Sequence, residues 1–258
     1  MKLRSLFALC CLLLPVVSAS ADPVPDHLQL FLLIGQSNMA GRGTPEAPDL
    51  VTNPHIFMLT KDLQWTLAKD PLHFDKPNVA GVGPGSEFAR TLAKANPTVN
   101  IGLIPCAVGG TSLDEWKVGG KLYTDAVARA QAAMKQGTLT GILWHQGEAD
   151  SRPEKVATYA TRFATMIGQL RTDLHAPGVP VVIGELGRFR ANGGSEAFNA
   201  ALPGVASHVP RCAYVTSEGL TDRGDHLHFN AGSARTLGQR YAAAYQKLAG
   251  SPGAMPAH

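Results

Sequence analysis

Short apolar runs alternate with longer amphipathic stretches through most of this chain, and that alternation narrows the fold more than any other feature. The apolar runs are Leu28–Ile34, His55–Leu59, Asn100–Pro105, Gly141–Trp144, Val179–Gly184 and Cys212–Thr216. Each has the length of a strand, and runs this uniformly apolar belong in a sheet buried on both faces. Between them, helical spacing predicts helices over Ser86–Ala95, Leu122–Met134, Lys155–Leu174 and Ala231–Leu248. In the third of these, Tyr159, Phe163, Ile167, Leu170 and Leu174 fall on one side. Strands joined by helices of this length predict an α/β fold whose mainly parallel sheet is covered on both faces.

The first residues stand outside the pattern. Lys2 and Arg4 precede a mostly apolar stretch from Leu6 to Val17, and Ala19-Ser20-Ala21 supplies a small-residue cleavage site. This is the layout of a secretory signal peptide at residues 1–21, with an apolar stretch too short to span a bilayer. Cleavage is expected after Ala21, leaving Asp22–His258 as a single domain of an exported protein, secreted or periplasmic. The tail from about residue 250, "GSPGAMPAH", is expected to fray. Loss of Lys2 and Arg4 lowers the formal net charge from +3 to +1. With no basic run and no later membrane-length apolar segment, neither a nucleic acid nor a membrane is an expected partner of the mature chain. Cys10 and Cys11 leave with the signal, and the sequence leaves open whether Cys106 and Cys212 are bonded.

In an open parallel sheet, ligands bind beyond the carboxyl ends of the strands. "GQSNMAG" follows the first apolar run, "CAVGGTSL" the third, "HQGEAD" the fourth, and "DHLHFN" lies beyond the sixth. A serine hydroxyl becomes a nucleophile only when an oriented base takes its proton. Ser37 is the candidate nucleophile. Asp225 and His228 stand three apart, so one turn can set the carboxylate against one imidazole nitrogen and leave the other facing Ser37. His226 competes as the base, but its adjacency to Asp225 turns its side chain elsewhere. The oxyanion of acyl transfer needs donors aimed in advance. Candidates are the N–H of Ser37 at a helix start, the N–H of Gly110 and the side-chain amide of Gln146.

Gln36, Asn38, Arg42, Gly109, Thr111, Trp116 and Glu148 are further candidates for supporting the site or touching substrate. Trp116 has two readings, stacking on a sugar ring or packing beside a helix. Asp-His-Leu-His also suggests metal ligands, but no Cys/His set with zinc spacing accompanies it, and neither metal nor cofactor is expected. Glu148 and Asp150 stand too close in sequence for a glycosidase pair and read as residues that shape the pocket.

In order, "GQSNMAG", "CAVGGTS", "HQGEAD" and "DHLH" resemble the sequence blocks of the SGNH hydrolases. The nearest branch is that of family 6 carbohydrate esterases and sialate O-acetylesterase-like domains. The blocks run from Gly35 to His228. The resemblance implies a three-layer, flavodoxin-like α/β/α sandwich. It implies Ser37, Asp225 and His228 as the triad, with Ser37 N–H, Gly110 N–H and Gln146 as the oxyanion hole. The general superfamily has asparagine where this chain has Gln146, and glutamine is usual in the acetylesterase branch. The implied activity is metal-free removal of O-acetyl groups from poly- or oligosaccharides, often xylan, with sialate O-acetyl esters as the alternative substrate. The α/β-hydrolases place their serine in G-x-S-x-G and separate acid from base, so that reading fails. Two rivals remain: a lipase or thioesterase on the same scaffold, and a carbohydrate-binding protein with a decayed site.

Overall fold

Seven strands form one sheet in the computed structural model, which describes residues 24–190 and 194–250. The expected signal peptide and the tail beyond Gly250 lie outside those residues. The strands are β1 (Leu28–Gly35), β2 (Ile56–Leu59), β3 (Trp65–Leu67), β4 (Ile101–Pro105), β5 (Gly137–His145), β6 (Val181–Gly184) and β7 (Cys212–Val215). Their order across the sheet is β3-β2-β4-β1-β5-β6-β7. Every neighbouring pair is parallel except β2 and β3.

The helices are α1 (Ser37–Ala40), α2 (Pro84–Ala95), α3 (Lys121–Ala133), α4 (Pro153–Asp173), α5 (Glu196–Ser207) and α6 (Ala231–Ala249). Side chains alternate across a strand, and β1 feeds both layers accordingly. Leu30, Leu32 and Ile34 join Tyr123 of α3, Phe163 of α4 and Phe198 of α5 in one core. Phe31 and Leu33 join Phe88 of α2 and Tyr241 and Tyr245 of α6 in the other. The Phe31 ring meets those of Phe88 and Tyr245 edge-on, at centroid separations of 4.9 and 5.0 Å. The chain therefore has the expected α/β architecture, a mostly parallel sheet between helical layers.

Three features depart from the sequence expectation. β5 begins at Gly137, four residues before the expected Gly141, because Gly137–Leu139 pair with Leu28–Leu30 before a register shift. β3 is a short antiparallel edge strand that the apolar pattern does not mark. α5 forms despite an internal Pro203, a residue that normally ends a helix. Cys106 and Cys212 are free thiols, and burial pushes each up to about 12.

A buried charge cluster ties the segment before β2 to the α2–α6 layer. Asp49, with no exposed surface, receives the Arg235 guanidinium at 3.0 and 2.9 Å on its two oxygens. Asp70 donates its N–H to the Asp49 carbonyl at 3.3 Å, and its own carboxyl is only 2 % exposed. Among the described residues Asp70 makes no ion pair closer than 4.0 Å. Burial pushes its pKa from 3.8 up to about 7, with the Ser86 hydroxyl and Arg90 opposing in part. The folded protein thus holds a proton that the unfolded chain releases at lower pH. Stability falls as pH rises from 3.8 to about 7 and stays lower above that. Asp70→Asn should abolish that component. Thermal melts at about pH 5 and pH 8 should show the wild type losing stability relative to the variant. An unchanged gap between the two would contradict a protonated Asp70.

Candidate active site

β1 ends against the last residue of β5. Gly35 has φ +126°, and a Cβ there would stand 2.2 Å from the His145 carbonyl oxygen. Only glycine fits so close an approach at that backbone angle. Gln36 then donates its N–H to the same carbonyl at 2.8 Å, and Ser37 opens the one-turn α1. The N–H groups of Ser37 and Gly110 have no hydrogen-bond acceptor among the described residues.

The segment before α6 brings Asp225 and His228 to this turn. His228 Nε2 lies 3.0 Å from Ser37 Oγ, and His228 Nδ1 lies 2.8 Å from Asp225 Oδ2. An ionised carboxylate only accepts, so Nδ1 carries the proton and Nε2 faces the serine hydroxyl as acceptor. Asp225 Oδ1 also accepts the N–H groups of Leu227 at 3.0 Å and His228 at 2.8 Å. Partial burial pushes the Asp225 carboxyl up, but the bonds from His228 and Leu227 outweigh it and hold the group below the usual carboxylate range. His226 has φ +53° and a side chain 73 % exposed, 3.7 Å from Asp222. It points to solvent, away from Ser37.

Asn38 clamps the segment that carries His228. Its Oδ1 accepts the Phe229 N–H at 3.1 Å and its Nδ2 donates to the Leu227 carbonyl at 3.1 Å, gripping the chain on both sides of His228. The same Nδ2 donates to Glu148 Oε1 at 2.5 Å, so Glu148 supports Asn38. Gln36 is 3 % exposed, and its buried amide oxygen has no hydrogen-bond partner among the described residues.

A second group of residues holds the turn after β4. Arg42 Nη2 and the Gly109 N–H both donate to Asp75 Oδ2 at 2.7 Å. Burial raises the Asp75 carboxyl, and Arg42 and the Gly109 N–H more than reverse that, leaving it below its usual range. Gly110 follows with φ +86°, a conformation that favours glycine. Thr111 Oγ1 donates to the Val108 carbonyl at 2.8 Å and accepts Trp116 Nε1–H at 3.0 Å. Trp116 is 1 % exposed and meets Trp144 edge-on at 5.5 Å. It is a packing residue, and the sugar-stacking alternative is corrected: its ring has no free face to offer.

Gln146 reaches the same turn from the end of β5. Its Nε2 donates to Asp150 Oδ2 at 2.7 Å and to the Thr111 carbonyl at 3.1 Å, so neither amide hydrogen is free in this structure. Its Oε1 accepts the Tyr159 hydroxyl at 2.7 Å. Sequence reasoning passed over Asp75 and Tyr159. Asp75 lies in a loop without a recognisable motif, and Tyr159 reads as one more apolar position on α4. Arg223 was passed over as well; it donates to the Arg42 carbonyl at 2.6 Å and joins the base-bearing segment to the serine turn. Among the described residues no cluster of three His, Cys, Asp or Glu could hold a metal ion.

A mostly parallel sheet with a serine, an imidazole and a carboxylate aligned beyond its carboxyl edge is an arrangement suited to a carboxylic ester hydrolase. The chain belongs to the carbohydrate esterase family described as sialic acid-specific acetylesterase, whose model matches residues 27–247. It is 33 % identical to a probable carbohydrate esterase of Arabidopsis thaliana over 244 residues, covering 87 % of this chain and 92 % of that protein. The crystal structure of an Arabidopsis thaliana protein superposes with a TM-score of 0.79 at 32 % identity, over 86 % of this chain and 99 % of that one. NanS has the same fold, with a TM-score of 0.70 at 20 % identity, over 88 % of this chain and 98 % of its own. So does a carbohydrate acetylesterase of Xanthomonas citri, with a TM-score of 0.67 at 19 % identity, over 86 % of this chain and 56 % of that one.

Asn38→Ala should cut turnover about 10²-fold by releasing the chain around His228, with a smaller change in KM. Steady-state kinetics on p-nitrophenyl acetate measure it. Full turnover in that variant would show that the clamp does not position the base.

Proposed function

We propose that this esterase removes O-acetyl groups from carbohydrate, with acetylated xylan as its first expected substrate, through a Ser37–His228–Asp225 triad. The observation that carries the reading is the aligned pair of contacts, 3.0 Å from Ser37 Oγ to His228 Nε2 and 2.8 Å from His228 Nδ1 to Asp225 Oδ2. His228 Nε2 takes the hydroxyl proton as Ser37 Oγ bonds to the acetyl carbon. The carbonyl oxygen becomes an oxyanion facing the N–H groups of Ser37 and Gly110. As the tetrahedral centre collapses, the bond to the sugar oxygen breaks and the Nε2 proton passes to that oxygen. Water then repeats the sequence on the acetyl-serine: His228 takes one water proton, the hydroxide bonds to the acetyl carbon, and Ser37 recovers the proton as acetate leaves. Asp225 stays ionised throughout and stabilises the imidazolium.

A second reading, sialate O-acetyl esters as the substrate, is favoured by the description of the family itself. Export to the cell exterior or the periplasm belongs to the same proposal and is supported by the signal-like residues 1–21.

Acetate release from acetylated xylan and from O-acetylated sialic acid, measured side by side, tests the substrate. Xylan activity alone supports the first reading and sialate activity alone the second. An octanoyl ester cleaved faster than its acetyl counterpart would favour a lipase instead. Ser37→Ala and His228→Ala should each lower kcat by about 10⁴-fold or more while the melting temperature holds. Substantial activity in Ser37→Ala would overturn the mechanism.

A further inference from the structure

The turn that carries Gly110 continues the hydrogen-bond alternation of β4 after its neighbour on one side has ended. Successive N–H groups of an extended chain point to opposite sides. On the β1 side, Cys106 donates to the Leu33 carbonyl at 2.9 Å and Val108 to the Gly35 carbonyl at 3.0 Å. On the other side, the pairing of β2 with β4 ends at Met58 opposite Leu103. Pro105 has no N–H to satisfy. The next two donors on that side meet side chains instead of a strand. Ala107 donates to His73 Nδ1 at 3.3 Å, and Gly109 donates to Asp75 Oδ2 at 2.7 Å.

Residues two apart in an extended chain present their side chains on one side, so His73 and Asp75 match the spacing of the donors at 107 and 109. Both are enclosed: His73 is 5 % exposed and the Asp75 side chain 1 %. Accepting at Nδ1 leaves the ring proton of His73 on Nε2. Burial pulls this histidine from 6.5 down to about 3, so the ring is neutral and its acceptor persists at neutral pH. Asp75 Oδ2 is shared with Arg42 Nη2 at 2.7 Å, and Arg42 belongs to the serine turn. The pairing neutralises a carboxylate that anchors the residue before Gly110. A Cβ at Gly109 would stand 2.4 Å from Arg42 Nη2 and 3.4 Å from Ser37 Cβ, so this turn lies directly against Ser37.

By the same alternation the Gly110 N–H falls on the β1 side, one step past the Gly35 carbonyl. There β1 has turned into α1, and the Ser37 carbonyl accepts the Gly41 N–H at 2.9 Å. The Gly110 N–H is a ladder donor whose partner strand has turned away. Resting on the reading of Ser37 as nucleophile, we propose that Asp75 and His73 are positioning residues. As a surrogate for the missing strand they fix the peptide before Gly110, so that its N–H meets the oxyanion beside Ser37.

Two measurements test this, and the first needs no variant. Amide hydrogen exchange of the wild type should show the Gly109 N–H protected and the Gly110 N–H unprotected. After a fluorophosphonate has reacted at Ser37, the Gly110 N–H should become protected as well. A Gly109 N–H that exchanges as fast as that of Gly110 in the free enzyme overturns the proposal, as does a Gly110 N–H left unprotected in the adduct. A Ser37 that takes no phosphonate overturns the nucleophile assignment itself, and the positioning role with it. The second measurement is kcat on p-nitrophenyl acetate, counted per site titrated with the phosphonate. Asp75→Ala should lower it about 10²-fold with KM little altered, because the donor is displaced and not removed. Asp75→Asn keeps an amide oxygen to accept the Gly109 N–H and should recover most of that loss. Unchanged kcat in Asp75→Ala, with Ser37→Ala inactive, would overturn the positioning role alone. Equal losses in Asp75→Asn and Asp75→Ala would overturn it too, since the charge and not the acceptor would then matter.

Discussion

The close approach of β1 to β5 at Gly35 governs the placement of everything around the site. Because the Gly35 backbone lies against the His145 carbonyl, the two central strands end at one level. The residues that follow, Ser37 on one and Gln146 on the other, emerge side by side. β4, on the far side of β1, ends at Pro105 and delivers the Gly109–Gly110 turn to the same edge. Three segments far apart in sequence meet there without long connecting loops, since parallel strands all point their carboxyl ends one way. The two apolar cores beneath them, one on each face, give that edge a rigid base.

Polar order at the edge is built outward from the serine turn in two directions. Asn38 reaches toward α6 and grips the chain around His228, while Arg42 reaches toward β4 and, through Asp75, holds Gly109. Both belong to the eight residues after Ile34, so one short stretch of chain supplies Ser37 and ties down both partner segments. Burial makes these ties specific: Asn38 and Arg42 are 3 % and 5 % exposed, and a polar group so enclosed is stable only with its intended partners.

Much of this is legible in the sequence, for identifiable physical reasons. β1 and β4 are apolar at nearly every position because both faces are covered, and such runs stand out from amphipathic helices. Asp225 and His228 were legible as a pair because their partnership is local, spanning three residues of one turn. What escaped notice depends on contacts that only folding creates. Asp75 lies 33 residues from the Arg42 that it pairs with, in a loop whose composition signals nothing. Gln146 has the chemistry of a donor in the sequence. The neighbours that take its amide hydrogens are Thr111, in the turn after β4, and Asp150, in the loop between β5 and α4. α5 was hidden by Pro203, whose ring is tolerated inside a helix that packs Phe198 and Leu202 against the core.

The segment from Asp222 to Phe229 is stitched to itself. Asp222 takes the N–H groups of Gly224 and His226, Asp225 takes those of Leu227 and His228, and the Arg223 N–H returns to the His228 carbonyl. Asp225 and His228 therefore share one self-bonded segment, whereas Ser37 lies on another. The carboxylate–imidazole contact lies within that segment, and the contact between Ser37 and His228 runs between the two. Among the described residues three further hydrogen bonds tie the two segments together, two joining the Asn38 amide to Leu227 and Phe229 and one running from Arg223 to the Arg42 carbonyl.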